Sequence, residues 1–508
     1  MIPTWILNNN ETFKNEEYEN SFFKYLVQQK KIILIALILN TAIFIALKFC
    51  FPIPDFFTDS FTYIADAILQ RPVTYRPAGY ADFLGLTHSI SGNPNFTVFI
   101  QYMLFVTSTL FCFFSGDYLY GFPQKIKTII FYVAILNPIL ILQTNLISSD
   151  SLFCSLTVIW FTFCLWIIRT HNLTAIILQV IFLLLCFHVR YTAVFYPVIA
   201  TVAFLFSRRK LFYKIAGIIL SVSVIYFYVE RQKDVTERLT GTRVFSGFSG
   251  WQIANNVLCY YKEIDVDPES LPTQDAKIID RIVKKQIDNM YVEHYVGTQY
   301  IWDIKSPLKF YLALRLKYTK SIYFAQWLWA SQNMSDYGWA VIKQHPGAYV
   351  RYFMAPNFIN YLLPDREILM NYNYDDLQIP PETKQWFDFH IDHIYCRFEY
   401  LQKDIIVLYP GISLLLNLVN IIIVFAFLFR YIRIWKKVGK DAKNLFIFWC
   451  FFYFGYVAFS VFSTIVLLRY LDPIFALGII MPFILWQQIK RPLDSESEAP
   501  AASDLAKK

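Results

Sequence analysis

"IILIALILNTAIFIALKFCFPI", residues 32–53, decides the class of fold. Its one charged side chain is Lys48. A helix rises 1.5 Å per residue, so a run of this length crosses a hydrocarbon layer of about 30 Å. Outward from it, comparable runs fall at about 96–116, 126–146, 151–168, 174–189, 192–206, 211–228, 405–429, 445–468 and 474–489. The chain has 508 residues, of which 17% are charged. Soluble domains average about 25%, and here the deficit is concentrated in the runs. The pattern predicts a mainly α, polytopic membrane protein with about ten transmembrane helices.

Cationic residues flank these runs on alternate sides. Lys30 and Lys31 precede the first, Lys125 and Lys127 follow the second, Arg169 the fourth, and Arg208, Arg209 and Lys210 the sixth. Arg430, Arg433, Lys436, Lys437, Lys440 and Lys443 follow the eighth, and Lys490 and Arg491 the tenth. All lie on one side if the N-terminus is cytoplasmic, as the positive-inside rule requires. That placement accounts for the net charge of +8 by cations facing anionic headgroups rather than nucleic acid. It predicts both termini in the cytoplasm. The first 31 residues are polar and mixed in charge, with no small-residue cleavage site after the first run, and "DSESEAPAASDLAKK" at the C-terminus reads as a disordered tail.

The expected organisation is a cytoplasmic segment 1–31, a transmembrane module 32–228 with a first outer loop at 54–95, an extracytoplasmic or interfacial region 229–404, C-terminal transmembrane helices 405–489 and a tail 490–508. The 229–404 region is rich in Tyr and Trp. It contains "SPLKFYLALRLKYTKSIYFAQWLWA" and, from His345, "YVRYFMAPNFINYLL", both with the amphipathic spacing of helices lying on a membrane. A small outer domain, α-rich or mixed, is expected to accompany them. Six of the eight cysteines lie in apolar runs and read as packed hydrophobes. Cys259 and Cys396 could pair in an oxidising compartment.

The connection after the first run, "TDSFTYIADAILQRPVTYRPAGY" from Thr58 to Tyr80, carries more than a connector needs. With a helix starting near Thr58, Asp59, Tyr63 and Asp66 share one face and Phe61, Ile64 and Ile68 another, and Pro72 ends it. Asp59 then has two readings, a carboxylate favoured at a helix N-terminus or a catalytic one. Asp150, in "ISSDSLF", has the same pair of readings. Arg76, Arg190 and Arg469 sit at outer span ends, where the orientation rule disfavours cations, accompanied by Tyr80, Tyr191 and Tyr470. Singly, each arginine reads as a snorkelling side chain or half of an ion pair. Together they read as forks for a lipid phosphate at the outer membrane surface. His188, beside Arg190 in "FHVRY", reads as a packed residue. The sequence has no CxxC pair, HExxH, Gly-rich phosphate loop or GxSxG elbow, and its histidines lack metal-ligand spacing.

Four features together resemble the GT-C class of lipid-linked-sugar glycosyltransferases, which includes the protein O-mannosyltransferases and the lipid A aminoarabinose transferases. They are the loop aspartate with Tyr63 four residues on, "YRPAGYADFLGL" from Tyr75, "IKQHPGAYVRYFMAPN" from Ile342, and "RYLDPIFAL" from Arg469, which is similar to an Arg-Tyr-x-x-Pro ending. The order of these pieces spans almost the whole chain. The lone Asp59-Ser60 departs from the paired acids of many members, and 229–404 matches no acceptor-binding domain.

The resemblance implies an enzyme of a bacterial inner membrane that moves a sugar from a polyprenyl-phosphate donor to an acceptor hydroxyl on a glycan, lipid or protein at the periplasmic face. Asp59 would be the general base and Arg76, Arg469 and Arg190 would bind the donor phosphate, with Tyr63, Tyr80, Asp150 and Tyr470 in support. The scheme needs no cofactor and no metal. Two alternatives stay open. A polymerase or ligase drawing on a pyrophosphate-linked glycan would share the arginines but would not need Asp59. A non-enzymatic lipid or glycan transporter would place charges in mid-membrane, whereas here the polar residues gather at the outer ends.

Overall fold

The computed structural model describes residues 21–490 except 72, 123–125, 290–296, 319–321, 376–377, 399 and 435–438. Pro72, Lys125, Lys436, Lys437 and most of both terminal segments therefore lie outside the described residues. The architecture is a membrane-type helical bundle. Among the described residues, eight helical stretches are long and apolar enough to cross a bilayer: Lys30–Cys50, Pro94–Tyr120, Lys127–Thr144, Ser149–Arg169, Leu211–Thr240, Leu401–Arg430, Lys440–Ser463 and Leu468–Gln488. The expected spans at 174–189 and 192–206 correspond to shorter apolar helices, Leu173–Val189 and Tyr191–Phe206. So eight of the ten expected spans have crossing length, and two are shorter.

Other boundaries also move. The third span is not one helix. It breaks between Lys127–Ile135 and Pro138–Thr144, because Pro138 lacks the N–H a continuous helix needs. The helix from Leu211 does not stop at 228. It runs to Thr240, where Gly241 takes a left-handed φ of 74°, a common helix stop.

Region 229–404 divides into two parts with different cores. Trp251, Trp327, Met334 and Tyr337, from Ser249–Leu258 and Tyr323–Gln344, are completely buried in a cluster with Gln274–Gln286 and Pro307–Tyr318. Residues beyond Ala355 instead join the core of the bundle through Tyr361, Leu369, Tyr372 and Phe387. The stretch expected as a single interfacial helix from Ser306 is two helices, Pro307–Tyr318 and Tyr323–Gln344. No disulfide joins Cys259 to Cys396. They pack against different clusters, Cys259 on the one that holds Trp251 and Trp327 and Cys396 on the bundle.

The two ends of the bundle carry different chemistry. At one end Arg169 and Arg208 pair with Asp441, and Lys127 pairs with Asp117. Asp150 begins the helix that Arg169 ends, so Asp150 and its neighbours mark the opposite end.

Candidate active site

The loop helix forms over Thr58–Leu69 as its spacing predicts, and ends with Gln70 in a left-handed conformation, φ 44°. Its buried face is the polar one. Asp59, Ser60, Tyr63 and Asp66 are buried, while Phe61 and Ile68 are exposed and only Ile64 of the apolar trio is covered. Asp59 is not the cap. It sits in the first turn, one residue past Thr58, and the Phe57 N–H donates to Ser60 Oγ at 3.1 Å. The Asp59 carboxylate is turned instead toward two arginines. Arg76 Nη2 donates to Oδ1 at 2.6 Å, and Arg469 Nη1 to Oδ2 at 3.1 Å. Burial alone raises the Asp59 pKa, but Arg76 and then Arg469 outweigh it and hold it below the usual carboxylate range.

Asp150 is arranged alike. Ser148 is the N-cap of its helix and accepts from the Asp150 N–H. The Asp150 carboxylate pairs with Arg190 through Oδ1, accepts from Ser148 Oγ, and meets Arg469 Nη1 at 3.4 Å. The result is an alternating chain of charge, Arg76–Asp59–Arg469–Asp150–Arg190. Its members come from the first loop, the start of one helix, the end of another and the turn before the last helix.

Gly79 makes part of this convergence possible. A Cβ there would lie 2.6 Å from the carbonyl carbon and oxygen of His188. Only a glycine lets the Arg-Pro-Ala-Gly-Tyr turn approach the His188–Val189 backbone, and that approach sets Arg76 and Arg190 in one cavity. Aromatic rings back the guanidinium groups. Arg76 lies over Tyr63, Arg190 over Phe153 and Tyr470, and Arg469 over Phe57 and Tyr470, a weakly hydrated setting suited to arginine.

These groups line a cavity of about 810 Å³. All the sequence-nominated residues line it except Tyr80. Tyr80 is fully buried behind the site, where it donates to Gln101 Oε1 at 2.6 Å and packs edge-on against Tyr63 at 4.9 Å. Tyr63 donates to Ser149 Oγ at 3.0 Å, joining the loop helix to the helix that carries Asp150. His188 is outside the cavity lining and bonds Asp82 and Tyr228.

Several lining residues carried no signal in the sequence. Glu367 is one. Trp302 and Trp339, exposed despite their size, are two others. Around the tryptophans the wall is uncharged and polar, with Ser249, Gln252, Thr298 and Ser335. The cavity thus has a charged half in the bundle and an aromatic, hydroxyl-lined half beside the Trp251–Trp327 cluster. Among the described residues no group of three His, Cys, Asp or Glu side chains is set to hold a metal ion. Comparison with protein-family models, curated proteins and solved structures returns no match, so a functional reading stands on this geometry.

Proposed function

We propose that the chain is a membrane glycosyltransferase, moving a sugar from a polyprenyl-phosphate donor to an acceptor hydroxyl in the cavity on the outer face. One observation carries this reading: three arginines distant in sequence converge on one cavity at the end of an apolar helical bundle. A guanidinium fork matches a phosphate bidentately, and a phosphate at that depth, beside lipid-length helices, belongs to a lipid headgroup. The donor's isoprenoid chain would lie along the bundle and its sugar would enter the cavity.

The chemistry is a displacement at the anomeric carbon. The acceptor oxygen bonds to that carbon as its bond to the phosphate oxygen breaks. The donor phosphodiester monoanion leaves as a phosphomonoester dianion, and a cavity carboxylate takes the hydroxyl proton. Counting Arg76, Arg190 and Arg469 against Asp59, Asp150 and Glu367, the fully ionised site is neutral. When a carboxylate gains the proton the site becomes one charge more positive, as the phosphate becomes one charge more negative. Arginines aimed at the leaving phosphate stabilise that growing charge. Asp59 is the carboxylate the sequence nominates for the proton, and its two clamping arginines keep it ionised at neutral pH.

The test is phosphate-dependent lipid binding followed by transfer. Undecaprenyl phosphate is expected to raise the melting temperature of the purified protein, the neutral alcohol undecaprenol is not, and R76A and R469A are expected to lose the effect. A panel of polyprenyl-phosphate hexoses and pentoses in liposomes then identifies the sugar by its release or transfer. Equal stabilisation by undecaprenol and undecaprenyl phosphate would sink the reading. A pyrophosphate-linked lipid that displaces the monophosphate and alone supports transfer would favour the polymerase or ligase alternative.

A further inference from the structure

Three carboxylates line the charged half of the cavity, and they are not equivalent. Both oxygens of Asp59 are engaged by arginines, and both oxygens of Asp150 by Arg190, Ser148 and Arg469. Glu367 accepts no side-chain hydrogen bond among the described residues. Its Oε2 is shut off from solvent without a partner, and its nearest cation, Arg469 Nη2, stands at 3.7 Å, beyond hydrogen-bond reach.

The backbone holds Glu367 there at some cost. Its φ is 43°, a left-handed conformation that a glutamate adopts only when its surroundings impose it. Two bonds impose it. The Glu367 N–H donates to Asp365 Oδ1 at 2.8 Å, and the Leu468 N–H donates to the Asp365 carbonyl at 2.8 Å. The second bond fastens the Pro364–Glu367 turn beside the turn that carries Arg469. A strained, fastened residue with an unengaged carboxylate in a cavity is a frequent sign of a working group.

We propose that Glu367, not Asp59, receives the acceptor hydroxyl's proton, and that Asp59 balances the charge of the arginines until the phosphate takes its place. The assignment rests on the transferase reading. The hydroxyl donates to the accessible oxygen of Glu367, whose side chain is 30% exposed although Oε2 is not, its own oxygen bonds to the anomeric carbon, the bond from that carbon to the phosphate oxygen breaks, and the proton stays on Glu367 until product leaves. The charged groups about Glu367 fit this role. Burial raises its pKa, Arg469 lowers it, and Asp59 and the neighbouring Asp365 raise it again, with a net upward shift. A base nearer neutrality is the more effective one at neutral pH, whereas Asp59 is shifted the other way.

The experiment measures release of sugar from the polyprenyl-phosphate panel in liposomes, with water as acceptor, from about pH 5 to about pH 8. Wild type, E367Q, E367D and D59N are compared, and undecaprenyl phosphate binding is measured on the same preparations. E367Q is expected to bind undecaprenyl phosphate normally and to lose about 10²–10⁴ in rate. It should also lose the acidic limb of the pH profile and regain part of the rate with added formate. E367D should recover part of the rate without formate. D59N should keep the acidic limb and bind undecaprenyl phosphate more tightly, since Asp59 no longer competes for the arginines. An acidic limb kept in E367Q and lost in D59N would overturn the assignment and return the proton to Asp59. So would release that is indifferent to E367Q. A wild type that neither binds undecaprenyl phosphate nor releases sugar overturns the transferase reading and this assignment together.

Discussion

Arg469 and Asp59, 410 residues apart in the chain, meet at 3.1 Å. The same Arg469 nitrogen stands 3.4 Å from Asp150, so one guanidinium joins the first loop to the start of a bundle helix. This predicts different outcomes for two substitutions. R469A removes the charge. R469K keeps it but replaces a planar fork with a point charge that cannot serve two carboxylates and a phosphate at once. Both variants are expected to bind undecaprenyl phosphate about tenfold to a hundredfold more weakly, the span of a charge-assisted hydrogen bond. Titration in nanodiscs measures it. Wild-type affinity in R469K would mean that charge alone, without geometry, holds the lipid.

Asp59→Asn has a structural consequence that a capping role would not have. Loss of a cap costs about 1 kcal/mol. Asp59, however, is buried between two cations, and leaving buried charges uncompensated costs about 3–5 kcal/mol. D59N is therefore expected to melt clearly below wild type. Undecaprenyl phosphate should raise its melting temperature by more than it raises that of wild type, because the phosphate supplies the missing negative charge. Equal lipid-induced shifts in the two proteins would count against a shared phosphate and carboxylate site.

Asp55 predicts a pH dependence of stability. It is buried where the first loop meets the segment after Ala355. It accepts from the Asn373 N–H at 2.8 Å and from Gln402 Nε2 at 3.0 Å. Burial pushes its pKa up from 3.8 to about 7, against the pull of those bonds. Between these values the folded chain holds a proton that the unfolded chain has released. Stability is thus highest below about pH 4 as far as this group is concerned, falls as pH rises toward about 7, and levels off above it. The full span is at most about 4 kcal/mol. D55N carries no charge to bury, so it should flatten this fall in a melting series, at a pH-independent cost because its amide can accept only one of the two bonds. An unchanged slope in D55N would assign the effect to another group.

The sequence carried the class of fold because apolar length is a local property, readable from residues 32–53 alone. It carried the arginines and Asp59 because a cation at the wrong end of a span, or a carboxylate in a short loop, is locally anomalous. It did not carry Glu367. "LLPDREILM" reads as an ordinary turn after an amphipathic stretch, and what singles out Glu367 is a bond between Asp365 and Leu468, about 100 residues away. The division of 229–404 into two cores was hidden for the same reason. Nothing local tells Trp251 and Trp327, stacked at 4.0 Å in the second cluster, from Tyr361, buried in the bundle. The inward turn of the polar face of the loop helix was also unreadable, because it depends on Arg76, Arg469 and Ser149 meeting it.

Two glycines in one short helix give the sharpest test of how the site is assembled. Gly79–His88 begins with Gly79 and holds Gly85 in its interior. A Cβ on Gly79 would fall 2.6 Å from the backbone carbonyl of His188, and one on Gly85 would meet nothing within 4 Å. The Gly79 contact is with backbone, which cannot rotate away, so the helix must retreat. Overpacking of this kind costs about 1–3 kcal/mol, and the retreat would draw Arg76 away from Arg190. G79A is therefore expected to lower the melting temperature and to weaken undecaprenyl phosphate binding together. G85A, which replaces a helix-interior glycine in open space, is expected to stabilise by about 0.5–1 kcal/mol and leave binding unchanged. Binding that survives in a destabilised G79A would show that the Arg76–Arg190 separation does not govern the lipid site. Loss of binding in G85A would point to motion of the helix, rather than its close approach to His188, as the property the site needs.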